Sequence, residues 1–311
     1  MKIMIKQPRL LILFVCLLVS LTSKAQNASF NTQYLFNLLQ INPGYSGTSE
    51  RIEMVAGSKL QWVGFEGAPV THYLSASTLL GSSNLGLGGT LNHERIGPTR
   101  HTNLLLDFSY HLQLDNDQYL SFGMKAGVSF FSVNVSEIDA LDDGDDFLQE
   151  QDSEETANIG FGAFYYSDDV YLGVSMPSFY RGKDRVVSNG TAEFQTSNPL
   201  YFIAGTIIVL NDNWKTRPSM LYRVDDNLTN VLDLNNQFIL KDKFSLGLGY
   251  RTSDELVFIT QLELNKGLKF GYSFNYPLSE ANNFSTFHTH ELLVRYSFLK
   301  KSSIYVSPRF F

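Results

Sequence analysis

Apolar and polar side chains alternate along much of this chain with a period of two residues. Between Leu268 and Tyr276, every second residue is leucine or aromatic, and lysine, glycine, serine and asparagine lie between them. Successive side chains of a β-strand point to opposite faces, so this alternation predicts a strand with one apolar and one polar face. The pattern recurs in about fourteen segments. They lie near residues 51–62, 71–80, 84–94, 102–114, 118–135, 157–167, 169–177, 199–210, 214–224, 229–241, 243–252, 255–265, 267–277 and 288–299.

The length, number and spacing of these segments favour a transmembrane barrel. Most are close to the roughly 9–11 residues that a tilted strand needs to cross a bilayer, whereas strands of soluble proteins are typically about 5–6 residues long. Short turns alternate with longer connections, except near 225–228 and 253–254 where the predicted external connection is short too, and such alternation is typical of outer-membrane barrels with periplasmic turns and external loops. The predicted fold is an all-β antiparallel outer-membrane barrel of about 14 strands with a periplasmic N-terminus. A soluble β-sandwich or propeller is the alternative, although no repeat beyond hairpins is visible.

The beginning of the chain has the pattern of an export signal. Basic residues precede an apolar run at residues 10–21, and small residues stand three and one positions before Gln26. This pattern predicts export with cleavage before Gln26, and together with the predicted barrel it predicts location in the outer membrane of a Gram-negative cell. The predicted organisation is a signal peptide at 1–25, a periplasmic or plug segment at 26–50 and a barrel at 51–311.

Composition narrows the functional classes. The single cysteine, Cys16, lies in the predicted leader, so the mature chain is expected to lack disulfides and cysteine metal sites. Removing the leader takes away four of the 24 Lys and Arg residues and no acid, which leaves 20 against 31 Asp and Glu and a formal charge of −11. An acidic chain of this kind is not expected to bind nucleic acid. No apolar stretch after residue 25 approaches the roughly 20 residues of a membrane helix.

Charged residues on the polar strand faces are predicted to line the barrel lumen. Both signs are mixed, so they can line a selective water channel or brace the wall through ion pairs, and the sequence leaves both open. A fourteen-stranded barrel lies between small filled barrels and open porins, so a plug formed by residues 26–50 is compatible with its size. The predicted lumen charges are Glu53, Lys59, Asp107, Lys125, Glu263, Lys269, Glu291 and Arg295.

The acidic segment at 136–156 is a candidate calcium loop. An EF-hand register would use Asp139, Asp143 and Glu150 as ligands, but Leu141 stands where the third position needs an oxygen. A solvated external loop is the default interpretation. Neither a nucleophile elbow nor a zincin helix is recognisable, so neither a cofactor nor an enzyme activity is predicted. A barrel lipase with Ser, His and Asp assembled between strands is the remaining enzymatic alternative.

Two motifs near the start resemble those of a known family. QYLFNLLQINPGYSGT at residues 33–48 is followed by QWVGFEGAPVTHYLSAS at residues 61–77. Together they resemble the N-terminal motifs of the PorP/SprF family of the Bacteroidetes type IX secretion system. HELLVRYSF at 290–298 and SPRFF at 307–311 also look like the family. The chain departs from the usual pattern at Leu38, Gly44, Ser46 and Lys59, where the family commonly has Pro, Ala, Ala and Arg.

The resemblance implies an outer-membrane barrel that helps the secretion machinery export, hold or display a large surface protein such as a gliding adhesin. The partners it implies are outer-membrane lipids, type IX secretion components and the exported adhesin. A passive porin-like channel for small solutes is the alternative. Turn-forming and aromatic residues before the first strand, and one tryptophan after it, are hypothesised to bind a partner because aromatic anchors often dominate interfaces. They are Tyr34, Phe36, Asn37, Asn42, Pro43, Tyr45 and Trp62.

Overall fold

The strands of this protein form one antiparallel sheet that closes on itself. The computed structural model describes residues 31–49, 51–81, 83–115, 117–134, 153–181, 184–186, 192–194, 198–225, 229–265, 267–278 and 288–298. The strands are β1 Ile52–Leu60, β2 Val70–Leu79, β3 Leu85–Ile96, β4 Thr99–Asp115, β5 Gln118–Val133, β6 Ser153–Tyr166, β7 Val170–Arg181, β8 Asp184–Val186, β9 Ala192–Phe194, β10 Leu200–Thr206, β11 Ile208–Val209, β12 Trp214–Val224, β13 Val231–Leu240, β14 Phe244–Arg251, β15 Glu255–Asn265, β16 Leu268–Pro277 and β17 Thr289–Phe298. Before β1 lie three short 3-10 helices, Thr32–Phe36, Leu38–Gln40 and Pro43–Tyr45.

Closure follows from the order of the strands. β1 pairs with both β2 and β17, and β10 pairs with both β7 and β12, while β11 continues β10 along the edge of β12. The wall therefore has fourteen strands, and the predicted all-β barrel is confirmed. β8 and β9 form a separate small hairpin between the predicted segments 169–177 and 199–210, where the sequence pattern predicts no strand. None of the helices in the described ranges is long and apolar enough to cross a membrane.

Apolar side chains point outwards from the barrel and polar side chains point into it, which is the reverse of the arrangement in a soluble β-sandwich. On β4, Leu104 and Leu106 are 54% and 52% exposed on the outer face, whereas Asp107 is fully buried on the inner face. β14 repeats the pattern, with Leu248 exposed outside and Ser245 buried inside. An apolar exterior suits lipid, and the closed ladder satisfies the backbone polar groups that lipid cannot hydrate. The period of two thus decides which residues reach the lumen.

Every connection at one end of the barrel is short, whereas the other end carries the long connections together with short ones such as residues 97–98 between β3 and β4. The turn between β13 and β14 is an example, because Lys241 and Asp242 adopt positive φ angles of 51° and 55°, which suit a tight hairpin. Residues 61–69, between β1 and β2, lie at the opposite end. We call these the turn end and the loop end. The predicted orientation places the loop end outside the cell.

Single cysteines at the two ends are expected to report this orientation. Glu66 is exposed at the loop end and Asp242 at the turn end. Glu66→Cys should react with an impermeant maleimide on whole cells, whereas Asp242→Cys should react only after the outer membrane is opened. The parent chain, whose cysteine lies in the predicted leader, provides the unlabelled control. The reverse labelling pattern would show that the turn end, and not the loop end, faces outside the cell.

Candidate functional site

The barrel lumen is occupied by the segment that precedes β1. Residues 31–49, which we call the plug, lie inside the wall, and Tyr34, Leu38 and Tyr45 are each less than 5% exposed. Of the two positions that the sequence allowed for this segment, periplasm or lumen, these residues occupy the lumen. Residues 1–30, with the predicted signal peptide, lie outside the described residues.

Side chains of the inner wall bind the backbone of the plug. The plug's 3-10 helices are short, so many of its carbonyl groups need partners from elsewhere. Lys125 Nζ donates to the Leu39 carbonyl at 3.0 Å, and Ser175 Oγ donates to the Ile41 carbonyl at 2.6 Å. These donors come from the polar faces of β5 and β7. The alternation that makes the wall amphipathic therefore also supplies the plug's hydrogen-bond partners.

A buried carboxylate holds the beginning of the plug near the loop end. Glu291 Oε2 accepts the backbone N–H groups of Thr32 at 2.8 Å and Gln33 at 3.1 Å. Its Oε1 accepts the Tyr73 hydroxyl at 2.9 Å. Lys59 stands directly opposite Glu291 in the β1–β17 ladder. One carboxylate thus collects three donors, and such charge-assisted bonds are stronger than neutral ones.

The Asn-Pro-Gly motif shapes the part of the plug that leads to the turn end. Asn42 Oδ1 accepts the Gly44 N–H at 2.8 Å and caps the third 3-10 helix, where Pro43 occupies the first turn. Asn42 Nδ2 also donates to the Ala163 carbonyl of β6 at 3.0 Å. Further along, Ser109 Oγ donates to the Ser46 carbonyl at 2.6 Å. The plug therefore crosses the lumen from the loop end towards the turn end before β1 begins.

Glycines in the wall allow the plug to lie directly against the sheet. A Cβ at Gly123 would lie 2.3 Å from the Gly44 nitrogen, and a Cβ at Gly86 would lie 2.1 Å from the Ser46 oxygen. Both neighbours are backbone atoms, which cannot move away as a flexible side chain can. The Gly-rich polar faces of these strands thus match the plug rather than an empty channel.

Gly123→Ala is expected to destabilise the plugged barrel by about 1–3 kcal/mol, since it overpacks a tight contact. Gly89→Ala is the matched control, because a Cβ there meets Leu106 Cδ2 at 3.6 Å, an ordinary contact distance. Urea unfolding in detergent micelles measures both. Equal midpoints for the two variants would contradict the close packing of plug and wall.

All eight charges predicted for the lumen lie on the inner face and form opposite-charge neighbours. Asp107 pairs with Lys125 at 2.9 Å and Glu263 pairs with Lys269 at 3.2 Å. Arg295 forms an ion pair with Glu53, and Lys59 faces Glu291. The sequence left two roles open for these charges, lining a selective water channel or bracing the wall. This geometry favours bracing by ion pairs.

Further lumen charges lie on β12 to β15 and were not in the predicted set. Arg251 binds Asp233 at 2.7 Å and Glu255 at 2.8 Å. The Arg217 guanidinium lies 5.0 Å from the centre of the Phe36 ring, within the range of a cation–π contact with the plug. These residues follow the same period of two, so the alternation applied to β12–β15 was the signal that could have found them.

The side chains hypothesised to bind a partner are mostly engaged with the wall. The six plug residues are buried in the lumen, so this arrangement offers none of them a surface for a partner. Trp62 differs, because it lies partly exposed in the loop 61–69 at the loop end and has a positive φ of 51°. The calcium candidates Asp139, Asp143 and Glu150 lie outside the described residues. The six plug residues are Tyr34, Phe36, Asn37, Asn42, Pro43 and Tyr45.

One serine and one histidine meet inside the barrel, but their contacts are structural. Ser109 Oγ lies 3.0 Å from His111 Nε2. His111 Nε2 also lies 2.8 Å from the Ser46 carbonyl, and its Nδ1 lies 2.8 Å from the Tyr166 hydroxyl. Both residues are less than 5% exposed beneath the plug. A substrate cannot reach this pair while the plug is in place.

Solved structures similar to this chain are barrels. The CymD monoaromatic hydrocarbon channel aligns with a TM-score of 0.52 and 13% identity, covering 88% of this chain and 94% of that one. The TodX deltaS2S3 mutant monoaromatic hydrocarbon channel gives 0.50 and 12%, covering 87% and 95%. Omp33 of Acinetobacter baumannii gives 0.46 and 8%, covering 81% and 100%. For the CymD and TodX structures, the likeness at such identities shows the fold alone.

Sequence comparison identifies the family and the location. No curated protein matches the chain. The family described as type IX secretion system membrane protein PorP/SprF matches residues 23–296, which includes the plug and all fourteen wall strands but for the end of β17. The fold and this match agree on the outer membrane of a Gram-negative cell. The chain therefore belongs to the PorP/SprF family of type IX secretion system membrane proteins.

Proposed function

We propose that this protein is a closed barrel that helps the type IX machinery export, anchor or display a large surface protein such as a gliding adhesin. The observation that carries the proposal is the filled lumen, in which residues 31–49 are bound by side chains from strands all around the wall. A filled barrel is suited to holding other proteins at the membrane and unsuited to passing solutes. In this role the protein carries out no reaction.

Aromatic packing supports a permanently filled interior. The Tyr45 ring of the plug meets Phe164 edge-on at 5.7 Å. Phe164 in turn stacks on Tyr171 at 5.9 Å, and Tyr166 stacks on Tyr119 at 5.2 Å. Such ring pairs contribute roughly 0.5–1.5 kcal/mol each beyond their buried area. Releasing the plug would expose these rings to water, so spontaneous opening is disfavoured.

The competing function is a passive small-solute channel. The CymD and TodX neighbours carry the name of channels, but the likeness extends to the fold only. A channel also needs a continuous polar path, and here the inner wall binds the plug instead.

The two functions differ in what a gene deletion changes. Deleting the gene should remove one or a few large proteins from the set that surface biotinylation labels, while uptake of small hydrophilic dyes stays unchanged. Complementation with the intact gene should restore the missing proteins. An unchanged surface set with reduced dye uptake would instead establish a channel and reject the export role.

A further inference from the structure

The outer face of the wall changes chemistry abruptly near the loop end. Leu74, Leu91 and Leu104 are directly paired across β2, β3 and β4, and each is more than 40% exposed on the apolar band. One step nearer the loop end, the paired row is His72, His93 and Thr102, and the next is Val70, Arg95 and Arg100. A switch from leucine to histidine and arginine marks the depth at which hydrocarbon gives way to lipid headgroups.

The loop 61–69 forms a pocket over these rows. Two backbone bonds hold the loop in place, from Val63 N to the His288 carbonyl at 2.9 Å and from Gly97 N to the Gly67 carbonyl at 2.9 Å. The pocket has a volume of about 550 Å³. Its lining includes the cationic or polar side chains of His72, His93 and Arg95 and the apolar side chains of Leu60, Trp62 and Phe65.

The neighbouring strands extend the same chemistry round the wall. His290 Nδ1 lies 2.8 Å from the Tyr272 hydroxyl, and His288 stacks on Tyr276 at 5.5 Å. His290 is paired with Leu60 of the pocket across β1 and β17. Four of the six histidines of the chain thus lie on the outer face at the loop end. Histidine, arginine and aromatic rings together suit the interface, where one end of a side chain is wet and the other is apolar.

We propose that this pocket binds the phosphorylated headgroup of a lipid in the leaflet on the loop side of the membrane. The Arg95 guanidinium can bind a phosphate through two parallel hydrogen bonds, and His72 and His93 add donors beside it. The acyl chains of the same molecule would continue along Leu74 and Leu91, directly below on the same face. With the loop end outside the cell, the ligand class is a phosphorylated glycolipid of the outer leaflet.

A lipid fits this pocket better than a protein or a free anion. The pocket opens at the edge of the lipid-facing band, so its occupant must tolerate both hydrocarbon and water. Its lining combines apolar side chains with the guanidinium of Arg95 and two histidine rings, whereas a site for inorganic phosphate needs only the polar donors. Titration with inorganic phosphate beside the lipid distinguishes a free anion from the lipid.

Lipid binding by the full-length protein in detergent micelles tests the proposal. The probes are purified lipid A, dephosphorylated lipid A and inorganic phosphate, each titrated by microscale thermophoresis. We expect His72→Gln/His93→Gln/Arg95→Gln to bind lipid A at least about 10-fold more weakly than wild type, since the variant loses the paired Arg95 contact to phosphate and the ring donors of both histidines. Lys241→Gln/Lys243→Gln, which removes two exposed cations from the turn end, should bind as wild type does.

Each other result overturns the proposal. Equal lipid A affinity in the triple variant and wild type removes the pocket as the site. Tight binding of dephosphorylated lipid A removes the phosphate contact, and inorganic phosphate binding as tightly as lipid A makes the site one for a free anion. An equal loss of lipid A affinity in the control Lys241→Gln/Lys243→Gln would show that the effect comes from net charge and not from the pocket. If the triple variant fails the heat-modifiability check for a folded barrel, Arg95→Gln alone, an exposed substitution, decides between the same outcomes. The readout is lipid binding, so its result does not depend on whether the protein has the proposed export role.

Discussion

Removal of residues 31–48 is expected to convert a barrel with little steady conductance into an open pore. The plug is bound through its own backbone to Lys125, Ser175 and Glu291, so these polar wall groups would face water once it is absent. A fourteen-stranded wall is wide enough to leave an aqueous lumen when nothing fills it. Single-channel recording in planar bilayers measures the change directly.

A second variant keeps the length of chain before β1 and removes only the side chains of the plug. Replacing residues 31–48 with a Gly/Ser sequence of equal length keeps the chain connection to β1 but removes the side chains that fill the lumen. Both variants should conduct, provided that heat modifiability shows folded barrels. Absence of conductance in both folded variants would mean that the wall closes without the plug. A stable open pore in the intact protein would favour the porin alternative.

Lys125→Met is expected to destabilise the barrel by about 3–5 kcal/mol, because it leaves the buried Asp107 carboxylate without its counter-ion. Asp107 and Lys125 are directly paired across β4 and β5, and the side chains of both are 1% exposed or less. The same substitution removes the donor to the Leu39 carbonyl, so the plug loses an anchor as well. Urea unfolding in detergent micelles, followed by tryptophan fluorescence, measures the loss.

A double-mutant cycle isolates the ion pair from the plug contact. Lys125→Met/Asp107→Leu removes both charges and should recover much of the stability, since a buried pair can often be replaced by apolar residues of similar volume. Asp107→Leu alone should also destabilise, because it leaves Lys125 buried without its carboxylate. A coupling energy near zero between the two positions would contradict the ion pair. A stable Lys125→Met single variant would contradict it as well.

Local patterning accounts for the agreement between predicted and observed wall strands. The predicted segments 214–224 and 255–265 coincide with β12 and β15. Alternation is a property of each strand on its own, so it needs no knowledge of the neighbours. Where a strand runs into a longer connection the local signal weakens, and β7 extends to Arg181, beyond the predicted end at 177.

Lumen charges were predictable as a set but not as pairs. Glu53 and Arg295 lie 242 positions apart, and they meet because β1 and β17 close the barrel. Glu291 is recognisable from its own strand as an inner residue. Its bonds to the Thr32 and Gln33 backbone depend on where an unrelated segment of chain comes to rest.

The sequence by itself determined the class of fold, the inner and outer faces and the family, because a period of two and short motifs are local properties of the chain. Only the tertiary structure decided that the aromatic segment before β1 fills the lumen, and hence that Tyr34, Phe36 and Tyr45 are buried. It also decided that the loop 61–69 encloses a pocket with His72, His93 and Arg95. The physical reason is that both sites are made by chain closure, which brings distant residues within hydrogen-bonding reach and leaves no trace in the spacing of either segment.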